Sequence, residues 1–232
     1  MRNRGHIGVV YLLSSPLLFF FAPGQVVSPI ILALSLVSLQ TLPDKDIVLQ
    51  EYTPISHRGI THTVWFGIFV GVVLGGVSVA LSSEYGLGFV YLILASYGAV
   101  KTVSHINWRW TRTRRDTFKL FVVALVLISV ALYQQGILKN GIDLGIGLSS
   151  IEATFVFHFL LGFFGVTTHL IGDVLTPMGI RPLRPIHNEK YRLGWVRAAN
   201  ESANLGLFVG GTLLFVVSTV AVVEGYTIFD ML

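Results

Sequence analysis

Cysteine is absent from the 232 residues, which excludes disulfides, thiolate zinc sites and thiol nucleophiles. Charge is scarce. Asp, Glu, Lys and Arg make up 12% of the chain, against about 25% in a typical soluble domain. What fills the space is apolar: 53% of residues are hydrophobic and the mean hydropathy is +0.73. That balance excludes an ordinary soluble domain and points to the membrane class. The net charge of +4 is no sign of nucleic acid, because a membrane protein carries excess Lys and Arg in its cytoplasmic loops. With no recognised binding module in the chain, no nucleic-acid partner is expected. Arg2 and Arg4 precede an apolar run, but no small-residue cleavage site follows it, so a retained first span is expected rather than a signal peptide.

Seven apolar segments stand out, at 5–22, 26–42, 63–82, 86–103, 119–137, 154–175 and 205–223. Each is near the roughly 20 residues a helix needs to cross the bilayer. Pro16, Pro23 and Pro29 interrupt the first two, so 5–42 reads as a tight hairpin or a re-entrant pair. The expected fold is all-α, a multi-pass transmembrane bundle of about seven spans, or six with a re-entrant pair. Residues 1–232 form one integral membrane domain. With the N-terminus cytoplasmic, 15 of the 16 basic residues fall inside and only Lys139 outside, as the positive-inside bias requires. The loop at 104–118, where Trp108 and Trp110 alternate with arginines, suits an anionic headgroup interface.

This topology gathers metal-type side chains at the cytoplasmic helix ends. His169 and Asp173 are spaced i,i+4, about 40° apart around a helix, so both can reach one ion. An aspartate inside a membrane helix is costly and points to function. Asp44 and Asp46 follow Pro43. In an extended turn their carboxylates point the same way, whereas on a regular helix they diverge by about 200°. His57 and His62 are about 140° apart on any one helix; Gly59 lets the chain turn between them, placing His57 on the loop and His62 in the first turn of the third span, with Thr61 near the cap. Arg58 beside them can grip a phosphate or carboxylate oxygen bidentately. His6 lies on the same face, while His158 is three turns from His169, beyond its reach.

The metal candidates are therefore His6, Asp44, Asp46, His57, His62, His169 and Asp173. Histidine with carboxylate suits Zn, Mn or Fe better than Ca. So many donors exceed one tetrahedral zinc. They imply two divalent ions, or one ion with a spare Asp or His as general base. Arg58, Asp46 and His62 are the catalytic candidates. Bland alternatives stand beside each: a solvated loop end for Asp44 and Asp46, a polar helix pair for His169 and Asp173, a topology signal for Arg58.

Leu42-Pro43-Asp44-Lys45-Asp46, His57-Arg58-Gly59-Ile60-Thr61-His62-Thr63 and His169-Leu170-Ile171-Gly172-Asp173 through Gly179, in that order and with His6 upstream, resemble the YdjM-like membrane-bound metal-dependent hydrolases. The resemblance frames residues 6 to about 185 and implies a metal-dependent hydrolase of the prokaryotic cytoplasmic membrane, its site marked by Asp44, Asp46, His57, Arg58, His62, His169 and Asp173. Two positions depart from the pattern: Ile47 stands where that family often has histidine, and Thr63 where it often has serine. Membrane lipids and a small-molecule or lipid-linked substrate, such as a phosphoester at the inner leaflet, are the expected partners. Two other functions fit the residues. A transporter or metal-handling protein would need polar residues deep in several spans. A membrane scaffold would use the metal structurally.

Overall fold

The computed structural model describes residues 1, 3–20, 27–50, 59–81, 86–106, 116 and 150–224. The expected fifth span, 119–137, and the connector residues His57 and Arg58 lie outside the described residues. Among the described residues the fold is all-helical, with no strand beyond one isolated bridge between Ile180 and Tyr191. The principal helices are α1 Asn3–Ser14, α2 Val27–Leu39, α3 Val64–Ala80, α4 Gly86–Ile106, α5 Ser150–Val174 and α6 Glu201–Val223. By length and composition, Ile151–Val174 and Glu201–Val222 are long and apolar enough to cross a membrane, while Val64–Ala80 and Val90–Ser104 are shorter apolar stretches.

Local chemistry explains where the helices stop. Pro16 has no N–H to give the Leu12 carbonyl, so α1 ends at Ser14 and continues as a 3-10 stretch, Ser15–Phe20. The Ser14 and Ser15 hydroxyls donate to the Tyr11 carbonyl at this break. Thr63, in extended conformation, caps α3 by accepting from Phe66 N. The sequence places the cap nearer Thr61; that hydroxyl is used elsewhere, as described below. Asn200 caps α6 by accepting from Ala203 N.

Glycine sets the packing. Helix α3 lies against α5, and α1 against α6. Gly67, Gly71 and Gly75 line one face of α3 at i,i+4 spacing, opposite Phe163, Phe159 and Phe155 of α5. A Cβ at Gly71 would stand 2.7 Å from the Phe159 carbonyl oxygen, closer than atoms tolerate. Small residues of this kind let backbones approach where helix association rests on van der Waals contact. Buried Leu36, Val37, Leu161, Val166 and Leu170 form the core between α2 and α5. Outside it, α3 and α6 leave Phe69, Val72, Val73, Val77, Leu213, Val217 and Val220 exposed, apolar faces suited to hydrocarbon rather than water.

Deep in the bundle, His158 is satisfied by its neighbours. Its Nδ1 lies 2.7 Å from the Thr154 carbonyl and must donate to it, leaving Nε2 to accept from the Tyr91 hydroxyl at 2.9 Å. It takes no part in the cluster around His169.

The seam makes a differential prediction. Gly71→Leu overfills the α3–α5 contact and should cost about 1–3 kcal/mol, seen as a lower thermal midpoint in detergent. Gly76→Leu, where a Cβ meets nothing within 4 Å, should leave the midpoint unchanged. Equal midpoints in the two variants would remove the seam as the packing determinant.

Candidate metal centre

The turn carrying Asp44 and Asp46 is tightly wound. Pro43 occupies the first position of a 3-10 turn, Pro43–Lys45, and Asp46 opens a single helical turn, Asp46–Leu49. Proline suits that first position because its φ is preset and its missing N–H is not needed there. The extended turn expected from the sequence is therefore replaced by a helical one, and the two carboxylates diverge. They approach His62 from different sides, Asp44 at Nε2 and Asp46 at Nδ1.

His62 ends a second 3-10 turn, Ile60–His62, just before α3, rather than lying in the first turn of that helix. The turn is pinned from two directions: Thr63 Oγ1 donates to the Ile60 carbonyl at 2.6 Å, and Val64 N donates to the Pro182 carbonyl at 2.9 Å. Thr61 Oγ1 donates to Asp46 Oδ2 at 2.8 Å. Its oxygen also lies 3.1 Å from His62 Nδ1. Because the threonine proton is committed to Asp46, Nδ1 must be the donor in the second contact. The relay from His62 through Thr61 to Asp46 thus fixes the tautomer, with a lone pair on Nε2. A histidine oriented this way by a carboxylate is the common arrangement at metal ligands.

Around that lone pair the donors converge. His62 Nε2 is 3.3 Å from His169 Nε2, 3.6 Å from Asp44 Oδ1 and 3.6 Å from Asp173 Oδ2. His169 Nε2 is 3.5 Å from Asp44 Oδ1 and 3.6 Å from Asp173 Oδ2. Donors held at about 2.1 Å around one ion at tetrahedral angles stand about 3.4 Å apart, and all five distances are close to that value. These residues can hold a divalent metal.

His6 joins from α1. Its ring stacks on His169 with centroids 4.3 Å apart and planes 5° from parallel, and its Nε2 is 3.6 Å from Asp173 Oδ1. A Cβ on Gly172 would stand 2.5 Å from His6 Nδ1, so glycine between His169 and Asp173 is what admits the ring. Asp173 divides its oxygens, Oδ1 toward His6 and the Met1 amine, Oδ2 toward His62 and His169. Two overlapping donor groups result, one of His6, His169 and Asp173, the other of Asp44, His62 and His169.

The cluster is dry except at one edge. His6, Asp46, His62, His169 and Asp173 are each no more than 3% exposed, whereas the Asp44 side chain is 36% exposed. When the imidazoles are protonated, Asp44 sits among cations. Burial pushes its carboxyl up, but hydrogen bonding to His62 and the charges of His169 and His6 outweigh burial and hold it below the ordinary carboxylate range.

Of the residues singled out in the sequence, the structure brings together His6, Asp44, Asp46, His62, His169 and Asp173; His57 and Arg58 lie outside the described residues. The sequence reading missed Thr61 as the link between Asp46 and His62. A hydroxyl directly preceding a metal-type histidine is the signal that would have found it.

The elements described define an all-helical protein with two helices fit to cross a membrane and a buried histidine–aspartate cluster. Comparison with known families agrees with that class: residues 117–229 match the model of the family described as YdjM inner membrane protein. The resemblance read from the motifs therefore finds its counterpart in the second half of the chain. That match contains His169 and Asp173 and leaves the motifs around Asp44 and His62 outside it. No curated protein and no solved structure matches the chain.

The relay leads to a direct test. Asp46→Asn and Thr61→Val should each weaken metal binding about 10–100-fold, the usual effect of losing a residue that orients a ligand, with the helical content unchanged. Titration of a transition metal followed by calorimetry measures it. Parental affinity in both variants would show that the relay does not position His62 for a metal.

Proposed function

We propose that this chain is a membrane-bound, metal-dependent hydrolase, its site at the cytoplasmic ends of the helices, acting on a phosphoester or lipid-linked substrate. The observation that carries the reading is the fixed lone pair of His62 Nε2, which faces His169 and two carboxylates in an almost dry pocket with one exposed edge. The bias of the basic residues toward one side in the topology expected from the sequence supports a cytoplasmic placement, and the apolar segments support about seven spans.

Two histidines and a carboxylate suit zinc, manganese or iron. His62, His169 and Asp173 would hold one ion, and His6 with Asp173 Oδ1 offers donors for a second. When bound, such an ion supplies Lewis acidity and an acidified water. The protein's own groups do the rest. Asp46 acts through Thr61 as a positioning residue, keeping the Nδ1 proton on His62 and Nε2 bare. Asp44, at the exposed edge, has Oδ1 turned to the histidine donors and would take the proton from the attacking water on its other oxygen, Oδ2. The buried flanks, formed by His6 and α5, exclude bulk water and so strengthen each charge interaction inside. Arg58, next after His57 and four residues before His62 in the sequence, would supply a fork for a substrate oxygen.

A second reading has its own observation. The donors come from α1, the 3-10 turns and α5, and nearly all are buried, as in sites where metal ties segments together without turnover.

The deciding experiment pairs elemental analysis of detergent-purified protein with a panel of phosphoesters and phospholipids. Wild type should carry transition metal and hydrolyse a panel member. His169→Ala should lose the metal. Asp44→Asn should keep most of it and lose at least about 100-fold in turnover, the scale of a lost general base. Metal present with no panel member cleaved by wild type, and a thermal midpoint that falls on chelation, selects the structural reading. No metal bound even on titration defeats both.

A further inference from the structure

Beside the exposed edge of the cluster stands a second group of side chains that the mechanism above does not use. Lys45 directly follows Asp44 on the Pro43–Lys45 turn. Its Nζ lies 5.3 Å from the centroid of the Tyr97 ring, and Lys101 Nζ lies 5.4 Å from the same centroid. Tyr97 and Lys101 are one turn apart on α4. The end of that helix is fixed against α1 by a 2.9 Å hydrogen bond between Thr102 Oγ1 and the Tyr11 hydroxyl. Among the described residues, no carboxylate lies within ion-pair distance of either lysine; the carboxylates of this region, Asp44 and Asp46, are turned toward His62.

We propose that Lys45 and Lys101, gathered on the ring of Tyr97, form an anion subsite that receives a phosphoryl group at the mouth of the Asp44 edge. Two ammonium groups within about 5.4 Å of one ring centroid concentrate positive charge there. A contact with the ring face offsets only about 0.5–1 kcal/mol for each at an exposed site. A doubly charged phosphoryl group matches that charge, and lysine recognises phosphate as a point charge needing no fixed fork. The placement gives the subsite its use: Lys45 is exposed while its neighbour Asp44 reaches the cluster. A phosphoryl group held by the lysines therefore arrives where the cluster opens. The subsite's part in turnover rests on the hydrolase reading; its binding of phosphate does not.

The test measures binding, using detergent-purified full-length protein, inorganic phosphate as one probe and a short-chain phosphatidate in neutral-detergent mixed micelles as the other, followed by phosphorus NMR and calorimetry. Wild type should bind one probe or both. Response to the micellar probe alone identifies a lipid headgroup as the source, and response to inorganic phosphate identifies a soluble phosphoryl ligand as well. Lys45→Ala with Lys101→Ala should weaken binding at least tenfold, Tyr97→Leu should weaken it by removing the platform, and Lys45→Arg with Lys101→Arg should restore it. Metal content, measured in parallel, should match wild type in all of these. Should the double alanine variant misfold, Lys45→Ala alone, at an exposed turn, should still weaken binding several-fold. Parental affinity in the lysine variants, or no binding of either probe by wild type, overturns the proposal. Lysine-dependent phosphate binding in a protein that takes up no metal would leave the subsite standing and remove the hydrolase. A metal-loaded, active protein whose phosphate affinity ignores the lysines would do the reverse.

Discussion

The structure depends on one electrostatic constraint: three imidazoles and three carboxylates are gathered at the helix ends, and five of the six are almost completely withdrawn from water. Desolvating a single carboxylate costs several kcal/mol after relaxation. A hydrogen bond to a charged group returns about 1.5–3 kcal/mol. The Thr61–Asp46 bond and the His62 relay offset that cost for Asp46. Asp173 lies outside that relay; its Oδ1 faces the Met1 amine and His6, and its Oδ2 faces His62 and His169. Protons shared among the histidines can balance such a group in part. A divalent cation balances it fully, and the 3.3–3.6 Å spacing of the donors leaves room for one.

That constraint explains much of the surrounding packing. For His6 to stack on His169, α1 must come within ring contact of α5, and Gly172 permits it. For α1 to hold that position, its outer face must seat closely on α6, where Gly8 faces the Leu207 carbonyl and Gly211 faces the Gly8 carbonyl. For His62 to meet the same point, α3 must start beside the end of α5, and the Gly67–Gly71–Gly75 seam lets it. The residues after α5 close the arrangement from outside: Ile180 pairs with Tyr191, Leu193 N donates to the Val174 carbonyl, and Pro182 holds the first residue of α3. The packed glycines and the buried ions are two parts of one solution, since loosening any of these contacts would separate donors that only a common cation or shared protons hold together.

Much of the donor set was legible because its spacing is local. His169 and Asp173 share a helix face by arithmetic alone, and α5 presents them as the i,i+4 spacing requires. The helical class and the positions of α3 to α6 followed from apolar run length. What the sequence hid was turn conformation. Asp44 and Asp46 read as a matched pair in an extended turn, yet Pro43 winds the segment into a 3-10 turn and sends them to different nitrogens of one imidazole. Thr61 looked like a helix cap because a hydroxyl before an apolar run usually is one. Thr63, two residues on, takes the cap and frees Thr61 to link Asp46 with His62. Both misreadings concern one or two residues of backbone geometry, which apolar periodicity does not report.

The divergence of Asp44 and Asp46 carries the last step. Two carboxylates on the same face would compete for one cation and repel each other. Set on opposite edges of His62, they divide the work by burial. Asp46 is fully enclosed and accepts a hydrogen bond from Thr61. Asp44, a third exposed, faces the dry donors and is joined by a single peptide bond to Lys45, one of the two lysines beside the Tyr97 ring. The helical winding that defeated the sequence reading is therefore what separates an inner, buried carboxylate from an outer, accessible one.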